Sequence, residues 1–195
     1  MKREGKHYRK TKETEIDVRL VLDGEGRYEI HTGIPFMDHM LAQLSRHGLF
    51  DLEINAKGDT EIDGHHTVED LGITLGESFK KALGEGKGIR RFGMASIPLD
   101  EALASVSLDI SGRAHLSFPG GLPKEKVGNF DVELVEEFFR SFTSNAGITL
   151  HIRLLSGNNL HHILESIFKS FARALDEGTR FDERVKDVPS TKGVL

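Results

Sequence analysis

A chain that repeats its own order of elements is tightly constrained, because each copy must bury the same faces. Here Leu52-Glu53-Ile54 returns 98 residues later as Leu150-His151-Ile152. His65-His66-Thr67-Val68-Glu69 returns 96 residues later as His161-His162-Ile163-Leu164-Glu165, the second turn being shorter. Behind each copy stands a helical pattern, containing Phe79-Lys80-Lys81-Ala82-Leu83 or Phe171-Ala172-Arg173-Ala174-Leu175. No low-complexity linker divides the copies. The reading is therefore α+β: an internally duplicated, two-half β/α sandwich, with residues 1–195 as one unit and repeats of about 11–90 and 91–195.

Periodicity supplies the elements. Alternation predicts strands around Ile16–Leu20, Tyr28–Ile30, Leu49–Ile54, Arg91–Met94, Ala102–Ile110, Ala114–Phe118 and Ile148–Leu154. Helical spacing runs over 36–47, 67–83, 132–142 and 160–175. Gly84–Gly88 lacks the spacing of a phosphate-binding P-loop and reads as a helix stop followed by a turn. Met1–Lys12 is basic and polar with no core pattern, and reads as a solvated tail.

Composition removes several function classes. The chain has 26 basic and 31 acidic residues, a net charge of -5, ten histidines and no cysteine. A net negative charge argues against a general nucleic-acid binder. The lack of cysteine rules out a disulfide scaffold, a zinc ribbon, an iron–sulfur site and a thiol nucleophile. No run approaches the ~20 apolar residues of a membrane span, and the first residues are too polar for a signal peptide, so the expected location is cytoplasmic.

The chemistry lies in the two His-His-x-x-Glu motifs. Residues four apart share a helix face, whereas neighbours are turned by ~100°. His65 with Glu69 can clamp one cation, and His161 with Glu165 another. His66 and His162 point elsewhere and can each complete the opposite site across a pseudo-twofold. His39 stands thirteen residues before Leu52, and the equivalent place before Leu150 is Glu137. The expected sets are His39, His65, Glu69 and His162 for one ion, and Glu137, His66, His161 and Glu165 for the other. Imidazole and carboxylate suit a borderline divalent cation, with sulfur-free, open coordination tilting toward manganese or iron. At the C-terminus, Pro189-Ser190-Thr191-Lys192-Gly193 offers hydroxyl and ammonium donors of the kind that hold a phosphate.

Gly33-Ile34-Pro35-Phe36-Met37-Asp38-His39-Met40-Leu41, Asp63-Gly64-His65-His66-Thr67-Val68-Glu69-Asp70, Asn158 to Glu165 and Pro189 to Leu195 together resemble the imidazoleglycerol-phosphate dehydratases. The resemblance spans Thr11 to Leu195 and is to the monofunctional form, since 195 residues leave no room for the histidinol-phosphatase domain fused to some members. It implies a fold like domain 2 of ribosomal protein S5, dehydration of imidazole glycerol phosphate to imidazole acetol phosphate in histidine biosynthesis, and two manganese ions per active site. It also implies a 24-subunit shell with active sites between subunits. The substrate contacts it implies are Glu13, Gln43, His47, Arg91, Arg113, Ser190 and Lys192, with Glu13, His39, His65, Glu69, His161 and Glu165 in catalysis. The Glu13 match places the chain from Thr11 onward in the site rather than in a bland tail. The chain departs from many members at Glu137, where they carry histidine; glutamate is also a competent ligand.

No carbonyl activates the substrate proton, so the imidazole ring must serve as electron sink, and cations on its two nitrogens would favour the imidazolate. Loss of hydroxide then gives a diazafulvene-like intermediate, and proton removal an enol that becomes the ketone, with Glu13 as acid/base group. Two rival readings remain at this level: a dinuclear phosphohydrolase, disfavoured by the lack of bridging aspartates, and a shell-forming protein glued by metal.

Overall fold

The computed structural model describes every residue except Met1 and Val194, so Val194 of the C-terminal motif lies outside the described residues. The first half runs β1 (Glu4–Lys10), β2 (Thr14–Val21), β3 (Tyr28–His31), α1 (Pro35–Gly48), β4 (Asp51–Gly58) and α2 (His65–Leu83). The second runs β5 (Phe92–Leu99), β6 (Ala102–Asp109), β7 (His115–Ser117), β8 (Lys126–Val127), β9 (Phe130–Asp131), α3 (Leu134–Ala146), β10 (Thr149–Ser156) and α4 (Leu160–Thr179). Each half makes one four-stranded sheet, ordered β1-β2-β4-β3 and β5-β6-β10-β7, whose last strand alone pairs in parallel.

The duplication is visible residue by residue. Val18 faces Ile54 across β2 and β4, and Val106 faces Ile152 across β6 and β10, so the hairpins correspond at an offset of 88. Buried Met37, Met40, Leu41 and Leu44 of α1 answer to buried Val135, Phe138, Phe139 and Phe142 of α3. Gly5 of β1 seats against Ser78 and Ala82 of α2, and Gly93 of β5 seats against Ala174 and Gly178 of α4; a Cβ on either would lie 1.9 Å from a helix carbonyl oxygen. Two glycines at equivalent places therefore let each helix lie directly on its sheet.

The helices also tie the halves together. α1 packs on α4 and α3 on α2, so each half lends a helix to the other. Between them Phe138, Phe139, Phe142, Phe168 and Phe171 form a fully buried aromatic cluster, with Phe139 in edge contact with Phe171 at 5.1 Å. Each such side chain contributes on the order of 1.5–3 kcal/mol by leaving water.

Two expectations are corrected. Glu4–Lys10 is an edge strand rather than a solvated tail, fully registered on β2 from Glu4↔Val21 to Lys10↔Glu15. Its side chains are polar because an edge strand needs only backbone pairing and one buried position, here Gly5. Arg3 anchors it, donating to both carboxylate oxygens of Asp23 and, from Nη1, to the Thr179 carbonyl at the end of α4. The strand expected from Leu49 starts at Asp51, because Leu49 is the left-handed C-cap of α1 with φ 58°. The β8–β9 hairpin, absent from the first half, was not legible as a strand pair. Among the described residues no helix is long and apolar enough to cross a membrane.

Candidate metal and substrate site

Both motif helices begin by the same device. Asp63 Oδ1 accepts the backbone N–H of His65 at 2.7 Å, and Asn159 Oδ1 accepts those of His161 and His162 at 2.9 and 3.3 Å. An acidic or amide side chain at a helix start satisfies N–H groups that the helix itself leaves unpaired. The histidines are thereby held on the first turn, at the helix mouth.

Because α1 lies along α4, His39 meets the second motif. His39 Nε2 stands 3.3 Å and His161 Nε2 3.2 Å from the same Glu165 Oε2, with the two imidazole rings 5.5 Å apart. These three ligand atoms lie within 4.8 Å of one another, the one such group among the described residues. Two imidazole nitrogens and a carboxylate oxygen fit a borderline divalent cation and leave positions for further ligands. The grouping within one chain cuts across the sets read from sequence, which put His39 with His65 and Glu69 and put Glu165 with Glu137. Helix pairing decides this: α1 is packed on α4, not on α2.

Glu165 is mostly buried, and its other oxygen accepts Lys169 Nζ at 2.6 Å. Burial alone would raise its pKa, but the bonds from Lys169 and His39 outweigh burial and hold it below the usual carboxylate range. Gln43 and His47 continue the face of His39 along α1, with His47 Nε2 3.0 Å from Gln43 Oε1. Burial, then the Lys169 charge, lowers the His47 pKa and so disfavours its charged form.

The outer motif histidines each face a carboxylate. His66 Nδ1 lies 2.9 Å from Asp59 Oδ2 and 3.9 Å from Glu13 Oε2. His162 Nδ1 lies 2.8 Å from Glu101 Oε2. These bonds raise both histidine pKa values, and the His162 bond, joined by backbone N–H groups, takes Glu101 down to about 2. His65 is exposed, Glu69 and Glu137 are half-buried, and Glu137 accepts from Ser141 Oγ at 3.4 Å.

The cationic residues gather elsewhere. Arg91, with φ 73°, donates to Asp109 from Nε at 2.6 Å and Nη2 at 3.1 Å, and to the Pro189 carbonyl at 2.8 Å. Arg113 reaches the same Asp109 at 3.5 Å, and Ser190 Oγ accepts the Lys192 N–H. The Arg91 backbone is bonded to Gly178, seventeen residues along α4 from His161. At the helical rise that is ~25 Å.

A cavity of about 720 Å³ opens beside His39 and His161, walled by Phe36, Phe130 and the Gly128–Asn129 tip of the β8–β9 hairpin. The rings of Phe36 and Phe130 pack against each other in a tilted arrangement, 5.1 Å between centroids. Sequence reading missed this wall, and missed Asp59, Glu101, Asp109 and Lys169. Carrying the offset of 88 from Glu13 would have reached Glu101.

Comparison with known proteins completes the description. The family model of imidazoleglycerol-phosphate dehydratase matches residues 32–175. The imidazoleglycerol-phosphate dehydratase of Acetivibrio thermocellus is 57% identical over 187 residues, covering 96% of each chain. That of Desulforamulus reducens is 55% identical over the whole of both chains. The crystal structure of the Staphylococcus aureus enzyme superposes with a TM-score of 0.83 at 41% identity, covering 92% of this chain and 99% of that one. The Pyrococcus furiosus enzyme, in complex with (S)-C348, gives 0.83 at 40% identity over 96% and 99%.

Proposed function

The chain belongs to the imidazoleglycerol-phosphate dehydratase family, and on that premise we propose how its residues divide the reaction between them. The reaction is the dehydration of imidazole glycerol phosphate to imidazole acetol phosphate in histidine biosynthesis, a hydro-lyase step. The phosphohydrolase and metal-glue readings give way to it.

His39, His65, His66, Glu69, Glu137, His161, His162 and Glu165 hold two divalent cations, manganese foremost. Bound there, the cations supply Lewis acidity and a template for the imidazole ring. The observation that carries this is the convergence of His39, His161 and Glu165 from two helices on one point. Gln43 and His47 extend the same face and orient the glyceryl hydroxyls. Glu13, about half exposed at the β1–β2 turn, moves the proton at the substrate carbon. Arg91, Arg113, Ser190 and Lys192 bind the phosphate, supplying binding energy remote from the reacting bonds.

One chain cannot supply the whole site. A ring, three carbons and a phosphate span no more than about 10 Å at ordinary bond lengths, against the ~25 Å of α4 between His161 and Gly178, where the Arg91 backbone is bonded. The site is therefore assembled from several subunits, within a 24-subunit shell in the cytoplasm. Exposed Ile62, Phe92 and Met94 offer apolar contact for that assembly. The two repeats, about 11–90 and 91–195, act as a single unit.

The test is subunit mixing. Assemblies of Glu165→Gln alone and of Arg91→Ala alone are expected to be nearly inactive, and co-assembled mixtures to recover activity. Mixtures as inactive as their parents would return the site to one chain. Removing metal with a chelator and restoring Mn2+ should abolish and return turnover.

A further inference from the structure

The repeat offers an internal comparison for the carboxylates that face the outer histidines. At the hairpin offset of 88, Glu13 and Glu101 are equivalent; at the helix offset of 96, so are His66 and His162. In the second half the equivalent pair is joined: Glu101 Oε2 meets His162 Nδ1 at 2.8 Å, while its Oε1 accepts the backbone N–H groups of Asn158 and Asn159 at 3.3 and 2.9 Å. In the first half the pair is parted to 3.9 Å, and Asp59 Oδ2 holds His66 Nδ1 instead at 2.9 Å. The position equivalent to Asp59, at the strand offset of 98, is Gly157. A Cβ there would press to 2.8 Å on Ile163 and 3.0 Å on Ala102, so the second half has no room for an aspartate.

We propose that Asp59 and Glu101 are positioning residues for His66 and His162, and that Asp59, by taking over this task in the first half, frees Glu13 to face the substrate. The inference rests on the metal-ligand reading of His66 and His162. A carboxylate accepting the Nδ1–H of an imidazole holds the tautomer whose Nε2 lone pair is open to a cation, and fixes the ring plane. Each outer histidine gets one such acceptor, from a different strand end in each half. Glu101 is spent on His162 and two backbone donors, whereas the Glu13 carboxylate keeps its acceptor capacity.

The experiment measures Mn2+ affinity of the full assembled protein, stripped and reloaded, from free-ion EPR amplitude. Asp59→Asn and Glu101→Gln should each weaken affinity about 10–100-fold, while Glu13→Gln stays within about twofold. Asp59→Glu should recover part of the loss. Nitrogen-15 spectra of histidine-labelled, metal-free protein should show the Nδ1-protonated form of His66 lost in Asp59→Asn and that of His162 lost in Glu101→Gln. Unchanged affinity and tautomer in both would overturn the positioning role, as would a Glu13→Gln loss as large as that of Asp59→Asn. His66→Gln and His162→Gln serve as the separate check: if neither weakens Mn2+ binding, the metal-ligand reading itself has failed. Should Glu101→Gln not fold, because it also holds the Asn158–Asn159 turn, Asp59→Asn alone decides.

Discussion

Arg91 and Asp109 form a two-point ion pair, 2.6 Å from Nε and 3.1 Å from Nη2, with both side chains largely buried. The same aspartate reaches Arg113, and Arg91 also donates to Pro189, next to Ser190 and Lys192. One carboxylate thus holds Arg91, which in turn holds Pro189, and is within reach of Arg113, the two arginines proposed to bind the phosphate. Asp109→Asn keeps the size and removes the charge that aligns the fork. Its KM should rise at least tenfold with kcat little changed; steady-state kinetics showing a fall confined to kcat would contradict this.

Glu13 sits beside His66 yet leaves that histidine to Asp59. Glu13→Gln should lower kcat by ~10²–10⁴-fold, the usual range for losing a general acid or base. Turnover at the wild-type rate with metal sites saturated would remove the residue from catalysis.

Gly93 lies against α4 where a Cβ would come within 1.9 Å of the Ala174 oxygen, and backbone cannot swing aside as a side chain would. Gly93→Ala should cost about 2–3 kcal/mol, or roughly 4–12 °C in Tm, and Gly5→Ala should match it in the other half. Gly120→Ala, with open space around it, should stay within about 0.5 kcal/mol. Calorimetry of the three variants is the check.

Asp23 is held below the usual carboxylate range, chiefly by the Arg3 guanidinium, with burial opposing. Because the folded state lowers this pKa, the contribution to stability is complete above the unfolded value near 4 and is lost as pH falls through the lowered one. Asp23→Asn should therefore be less stable than wild type at pH 7, and the gap should close in acid. Urea unfolding between pH 7 and pH 3 measures it; a gap independent of pH would mean that the charge contributes nothing.

The proposed ligands come from several segments, and such a set would couple cation binding to assembly. Chelation should shift the sedimentation profile toward smaller species, and Mn2+ should reverse the shift. A profile unchanged after complete metal removal would separate assembly from the metal.

Much of the fold was legible because local chemistry writes it. The offsets of 98 and 96 located both copies, and helical spacing found Met40, Leu41 and Leu44 of the buried face of α1, but took half-buried Phe36 in place of buried Met37. The polar strand β1 was not legible, since an edge strand is held by backbone pairing that leaves no side-chain period. Nor was the β8–β9 hairpin, whose two residues per strand are shorter than any pattern. At the site, both motifs and the Glu137 equivalence were readable, but Asp59, Glu101 and Asp109 are single carboxylates among many and acquire meaning only from what they face.

By itself the sequence determined the duplication, the α+β class, the two His-His-x-x-Glu faces and the nitrogen–oxygen donor set of a cysteine-free chain. These follow from periodicity and side-chain chemistry, which act over a few residues. Only the tertiary structure decided that His39 joins His161 and Glu165, that Asp59 rather than Glu13 holds His66, and that the Arg91 backbone meets α4 at Gly178, ~25 Å along the helix from His161. Those relations depend on which helices cross and which strand ends meet. Long-range packing sets them, and no local pattern records it.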